Sequence, residues 1–86
     1  MTGSRKERRR ALNMTVKLLK RSTWKCGRVE RLIIHHLQHA AERSGRAVCR
    51  VADMVRHLNL EGRARGELLD ALKRLEKRYV IMRVET

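Results

Sequence analysis

The side chains best suited to chemistry in this sequence are its cations, because 22 Lys and Arg residues stand against only 9 Asp and Glu, for a formal net charge of +13. Like charges at this density repel one another, and DNA and RNA are the commonest polyanions that relieve such repulsion. Solubility alone needs a smaller imbalance. The excess is also uneven, since residues 1–31 hold 11 basic and 2 acidic side chains, whereas residues 32–86 hold 11 and 7.

Two stretches near the N-terminus are candidates for contact with phosphates. Residues 1–10 predict a flexible basic arm, in which five cations occupy six positions around Glu7. Such an arm can follow the phosphates or enter a minor groove, and its alternatives are a nuclear-import signal and a solubility tail. Further cations continue the basic stripe toward residue 31. The residues of both stretches assigned to nucleic-acid binding are Arg5, Lys6, Arg8, Arg9, Arg10, Lys17, Lys20, Arg21 and Lys25.

The single tryptophan, Trp24, lies inside this stripe. An indole there could stack on a base, but we expect a hydrophobic staple that packs before the first core helix. With one Trp, one Tyr and no Phe in the chain, an aromatic platform for single strands is not expected.

The residues present give less support to metal binding, catalysis or disulfide formation. His35 and His39 would share a helix face, as some zinc ligands do, but no Cys-x-x-Cys pair or acidic partner accompanies them. We therefore expect no metal and no cofactor, and we expect His36 to be a hydrogen-bonded core residue. No Gly-rich phosphate loop, nucleophile elbow or spaced carboxylate pair is present, so we expect no enzymatic activity. Cys26 and Cys49 make no disulfide framework, which favours an intracellular location.

The elements that must position these side chains follow from the spacing of apolar residues. Ala11, Leu12, Val16 and Leu19 recur near helical spacing, which predicts a short amphipathic helix over about residues 8–21. We therefore assign residues 11–27 to this helix and a linker. No apolar run is long enough to cross a bilayer.

The clearest predicted helix covers residues 28–43, where Val29, Ile33, Leu37 and Ala40 share one face. Ile34 widens that apolar face, which could receive the N-terminal helix or a second subunit. The remaining segments are a β-prone piece at 47–49, helices over 51–58 and 64–78 around a turn at 59–62, and a strand over 79–84.

Two segments, VADMVRHLNL and ELLDALKRLEKRYVIMRV, together with the order of the elements, resemble the winged-helix family, a helix-turn-helix variant. The first matches the family's helix-and-turn pattern, and the second matches its third helix running into the wing strand. The turn NLEGRARG is longer than usual, Arg78-Tyr79 replaces the customary Gly, and no second wing strand is evident. The expected fold is mainly α with a short β-element, a winged-helix-like domain over 28–86 with a truncated wing.

The resemblance implies that the third helix enters the major groove of DNA with its outward side chains near base edges and phosphates. Glu67 and Asp70 lie on or near this face and would be repelled by phosphate. The cations assigned to binding here are Arg63, Arg65, Lys73, Arg74 and Lys77.

The resulting hypothesis is a DNA-binding protein, either a transcriptional regulator or a chromatin or viral accessory, with duplex DNA favoured over RNA. A homodimer is compatible with the wide apolar face of the first core helix, and no membrane partner is expected. Three alternatives stay open. They are an RNA-binding ribonucleoprotein component, a protein–protein adaptor of winged-helix type, and peripheral membrane binding through residues 8–21.

Overall fold

The computed structural model describes residues 13–84, which form three helices and a three-stranded antiparallel sheet. In chain order the elements are strand β1 (Thr15–Leu18), helix α1 (Arg28–Ser44), strand β2 (Val48–Arg50), helix α2 (Val51–His57), helix α3 (Arg63–Lys77) and strand β3 (Ile81–Val84). The three helices expected after residue 28 are confirmed, as are the strands near 47–49 and 79–84. The fold is nevertheless mixed α/β, because its sheet has a third strand that the sequence did not predict.

That third strand is β1, and it lies in the middle of the sheet. β1 pairs antiparallel with β2 on one side and with β3 on the other, so β2 and β3 do not pair with each other. The helix predicted over residues 8–21 is therefore wrong for Thr15–Leu18, while residues 1–12 lie outside the described part of the chain. The segment assigned to a helix and linker ahead of the domain supplies the centre of its sheet.

The physical reason is that β1 gains more from the sheet than from a local helix. Val16 and Leu18 are buried while Lys17 between them is exposed, which is the period-two alternation of a half-buried strand. Two flanking strands also satisfy the backbone N–H and C=O groups of β1 on both sides. Tertiary pairing of this kind overrides weak local helical spacing.

The core lies between the helices and one face of the sheet. Ile34 is fully buried within the chain, so the apolar width of α1 does not need a second subunit to cover it. The largest fully buried side chains are Val16 from β1, Ile33, Ile34 and Leu37 from α1, Val51 and Met54 from α2, and Leu68 and Leu75 from α3. Within residues 13–84, no helix combines the length and the apolar composition needed to span a membrane.

The turn from α3 into β3 places a tyrosine at a backbone position that favours glycine. Tyr79 itself adopts a left-handed conformation with φ 59°. Its N–H donates to the Glu76 carbonyl at 3.1 Å, and the Val80 N–H donates to the Leu75 carbonyl at 2.9 Å. This is the Schellman pattern of helix termination, in which glycine ordinarily takes the left-handed position.

Candidate nucleic-acid interface

The helix α3 turns its leucines toward the core and most of its cations toward solvent. Leu68, Leu72 and Leu75 are buried, whereas Lys73 and Lys77 are exposed. The two lysines are four residues apart and therefore neighbours on the helix surface. Within residues 13–84, neither forms an ion pair with a carboxylate. Their ammonium groups are thus available to an anionic partner.

The N-terminal half of α3 carries mixed charge. Arg63 and Arg65 are exposed, and the Nε of Arg65 donates to the Leu60 carbonyl at 3.2 Å, which ties this side chain to the α2–α3 turn. Glu67 and Asp70 are also exposed, so carboxylates separate these arginines from the two lysines. The cationic character of α3 is therefore strongest in its last two turns.

Arg74 has a structural partner that the sequence analysis missed. Its Nε lies 3.1 Å from Oε1 of Glu30, a buried carboxylate in the first turn of α1. Arg78 approaches the second oxygen, with Nη1 3.6 Å from Oε2 of Glu30. Arg74 thus fastens α3 to α1. The one available signal was that Glu30 is one of only two acidic residues in the strongly basic residues 1–31.

Arg78 also fixes the loop between β1 and α1. Its Nη2 donates to the Trp24 carbonyl at 2.9 Å, and its Nη1 donates to the Lys25 carbonyl at 3.4 Å. The guanidinium fork can hold these carbonyls and Glu30 together because its donors are rigidly arranged. A lysine in its place would offer a single charged centre.

Trp24 does not act as the expected hydrophobic staple, since it is 69% exposed. Cys26, the residue directly before the helix N-cap Gly27, takes the buried position instead. The backbone reverses at Lys25, which has φ 55°, and this reversal leaves the indole outside. The Nζ of Lys25 lies 4.6 Å from the centroid of the Trp24 ring, a cation–π contact.

The remaining predicted cations lie on the sheet and the loop, not on one helix. Lys17 is exposed on the outer sheet face, in register with Val48 and Met82. Lys20, Arg21 and Lys25 are exposed in the loop between β1 and α1, whereas Arg5, Lys6, Arg8, Arg9 and Arg10 lie outside the described residues. The N–H groups of Leu19 and Lys20 donate to the Val80 carbonyl at 2.7 and 3.2 Å. The start of this loop and the C-terminal end of α3 are therefore neighbours.

A histidine–cysteine contact joins α1, β2 and α2 inside the same fold. Nε2 of His36 lies 3.3 Å from Sγ of Cys49, and the ring centroids of His36 and His57 are 5.4 Å apart. Burial, and then the nearby His57, lowers the pKa of His36, while burial raises the pKa of the Cys49 thiol. His36 is hydrogen-bonded, as expected, but only half-buried. Within the described range no group of three or more His, Cys, Asp or Glu residues is arranged to hold a metal ion.

The geometry as a whole suits electrostatic binding of a polyanion at the last turns of α3 and the adjoining loop. Comparisons of the chain with protein-family models, with curated proteins and with solved structures found no match.

Proposed function

We propose that this protein binds duplex DNA through the outward face of α3, with the basic arm over residues 1–10 adding phosphate contacts. The observation that carries the proposal is the pair Lys73 and Lys77. Both are exposed and free of ion pairs within residues 13–84, on a helix whose opposite face is fixed in the core. A rigid helix with an outward cationic face can bring side chains to the groove and its phosphates.

The order of the elements supports a winged-helix-like frame for this contact. Helices α2 and α3 follow one another through a turn over residues 58–62, and β3 follows α3 and joins the sheet. In such a domain the wing is ordinarily a hairpin after the third helix. Here β1 would take the place of the second hairpin strand, entering from the N-terminal side and lying between β2 and β3.

This frame also suggests how the arm reaches DNA. Thr15 pairs with Val84, so the chain preceding β1 joins the sheet beside the end of β3. That is the place where a wing tip would follow β3. Basic arms at such positions reach the minor groove or the phosphates next to the helix contact. The arm would thus supply phosphate contacts at the position of a wing tip.

The test is the charge reversal of Lys73 and Lys77 to glutamate in the full chain. Both side chains are exposed, so folding should be preserved, as circular dichroism can verify. Attraction to phosphate becomes repulsion, and affinity for duplex DNA should fall at least about tenfold, or about 1.4 kcal/mol. The loss should shrink as salt rises, because exposed charges are screened within about 8 Å at physiological ionic strength.

The matched control reverses Arg31 and Arg43, two exposed cations on α1. If this control weakens binding equally, the protein holds DNA by diffuse charge and α3 is not a specific contact surface. If the α3 reversal leaves binding to every nucleic acid unchanged, the proposal fails. The exposed carboxylates Glu67 and Asp70 would then favour a protein partner for the same helix.

A further inference from the structure

The chain has one tryptophan and one tyrosine, and both are exposed to solvent at the same end of the molecule. Trp24 is 69% exposed and Tyr79 is 73% exposed, and the sequence contains no other Trp, Tyr or Phe. Leu19 beside them is 46% exposed. We refer to these three residues as the aromatic end. Large rings contribute strongly to a core when buried, so a small domain that exposes both of them leaves that stabilisation unused.

The short segment Arg78–Val80 contacts the backbone of both Leu19 and Trp24. The Leu19 N–H donates to the Val80 carbonyl at 2.7 Å, and Arg78 donates to the Trp24 carbonyl at 2.9 Å. Tyr79 lies between these two contact points. One backbone hydrogen bond and one hydrogen bond from the Arg78 guanidinium therefore hold Leu19 and Trp24 near Tyr79.

Tyr79 and the residue that follows Trp24 both adopt an uncommon backbone conformation. In residues 13–84, the non-glycine residues with positive φ are Lys25, Asn59 and Tyr79. One is Tyr79 itself, and another directly follows Trp24. A bulky residue in this region is strained, and glycine would take the conformation more easily. Strain of this kind is often retained at binding sites, where it holds a side chain in a required position.

One cation lies over the exposed indole, and two more are exposed in the same loop. The Lys25 Nζ lies 4.6 Å from the Trp24 ring centroid, and Lys20 and Arg21 are exposed in the same loop. A flat ring next to ammonium and guanidinium groups matches a nucleotide, which offers a flat base next to a phosphate. Stacking of bases on aromatic side chains combined with a cationic surface is how proteins hold single strands.

We propose that the aromatic end binds unpaired bases of a nucleic-acid strand, with Trp24 and Tyr79 as stacking surfaces and the loop cations at the phosphates. This rests on the proposed function only in taking nucleic acid as the partner. Bases inside a duplex show only their edges in the grooves, so a stack on either ring requires a single strand, a loop or a frayed end. The surface is thus distinct from the α3 face that would meet a duplex.

The fluorescence of Trp24 reports binding at this site directly, because Trp24 is the only tryptophan of the chain. In low salt, a single-stranded thymidine oligonucleotide should quench its fluorescence on binding. An abasic oligonucleotide of equal length carries the same phosphates without bases, so it should bind more weakly and quench little. Equal affinity and equal quenching by the two strands would overturn the proposal.

Substitutions of the two rings test the stacking contact without relying on the fluorescence of Trp24. With a labelled oligonucleotide followed by anisotropy, Trp24→Ala and Tyr79→Gly should each weaken single-strand binding by about fivefold or more. Trp24→Phe should retain part of the affinity. Tyr79→Gly removes the ring while easing the positive φ, so its fold should persist. The control is Leu32→Ala, which trims an exposed apolar residue on α1 and should leave binding unchanged.

The outcomes separate this proposal from the one for α3. If Trp24→Ala and Tyr79→Gly bind the single strand as the parent chain does, the aromatic end does not take bases, whatever happens at α3. If they weaken it while reversal of Lys73 and Lys77 leaves duplex binding intact, the stacking site stands and the α3 proposal fails. A parent chain that binds no oligonucleotide in low salt would overturn both.

Discussion

The position of β1 buries one of two adjacent leucines and exposes the other. The same substitution at each leucine therefore tests whether this segment is a strand. Leu18 is 8% exposed on the core side of the strand, whereas Leu19, one residue later, is 46% exposed. A helix over the same residues would instead place Leu19 on one face with Val16, as the spacing of three predicts. Leu18→Ala and Leu19→Ala therefore report directly which backbone the segment adopts.

The expected sizes follow from the apolar area lost. Truncating leucine to alanine removes about three methylene equivalents, or about 2.4 kcal/mol when the side chain is fully buried. Leu18 approaches that limit and leaves a partial cavity, so we expect its variant to lose about 2–3 kcal/mol. The Leu19 variant should lose only about half of this transfer free energy, about 1 kcal/mol, because water already reaches the Leu19 side chain. For a domain of this size each kcal/mol lowers Tm by about 4–8 °C.

Urea unfolding followed by circular dichroism measures both free energies of unfolding on one scale. Similar m values in the two variants would show that the unfolding reactions are comparable. The Leu18 variant should be the less stable of the two by about 1–2 kcal/mol. A Leu19 variant that loses as much as the Leu18 variant, or more, would show that the segment is not the central strand.

Two further predictions concern groups inside the fold. Glu30→Gln replaces the charge-assisted contacts of Arg74 and Arg78 with weaker neutral ones at a buried position, so we expect the free energy of unfolding in urea to fall by about 1–3 kcal/mol. Unchanged stability would mean that this contact does not hold α3 to α1. Burial, with nearby His57, lowers the pKa of His36, so the unfolded chain binds the proton more readily and stability should fall as pH drops below about 6.5. His36→Gln should remove part of that fall between neutral and mildly acidic pH, and an identical pH profile would contradict this.

The three helices could be predicted because each buries apolar residues at helical spacing. Leu68, Leu72 and Leu75 recur at intervals of four and three, and all of them are buried. The four residues of β1 give a much weaker indication of secondary structure than these helices do. Val16, Leu18 and Leu19 fit either period, and the choice is made by β2 and β3, which lie far away in the chain. Local spacing cannot show that long-range pairing.

The same limit applies to the site. Exposure of Lys73 and Lys77 followed from their place opposite the leucines. Arg74 was assigned to the same set, yet its partner Glu30 lies 44 positions away. Trp24 was expected to pack inward, but Arg78 from the far end of the chain holds its loop in a turn that leaves the indole outside. Contacts between distant segments decided both outcomes.

The salt dependence of duplex binding tests the central claim most directly. The full chain and a variant lacking residues 1–10 would each be titrated onto a labelled duplex over a series of salt concentrations. Each phosphate neutralised contributes about 0.9 to the slope of log K against log salt, so contacts from α3 and the arm together should give a slope of about −4 or steeper. The shortened variant should keep its fold and bind with a flatter slope. Absence of duplex binding in low salt, or a slope near zero for the full chain, would contradict the proposal.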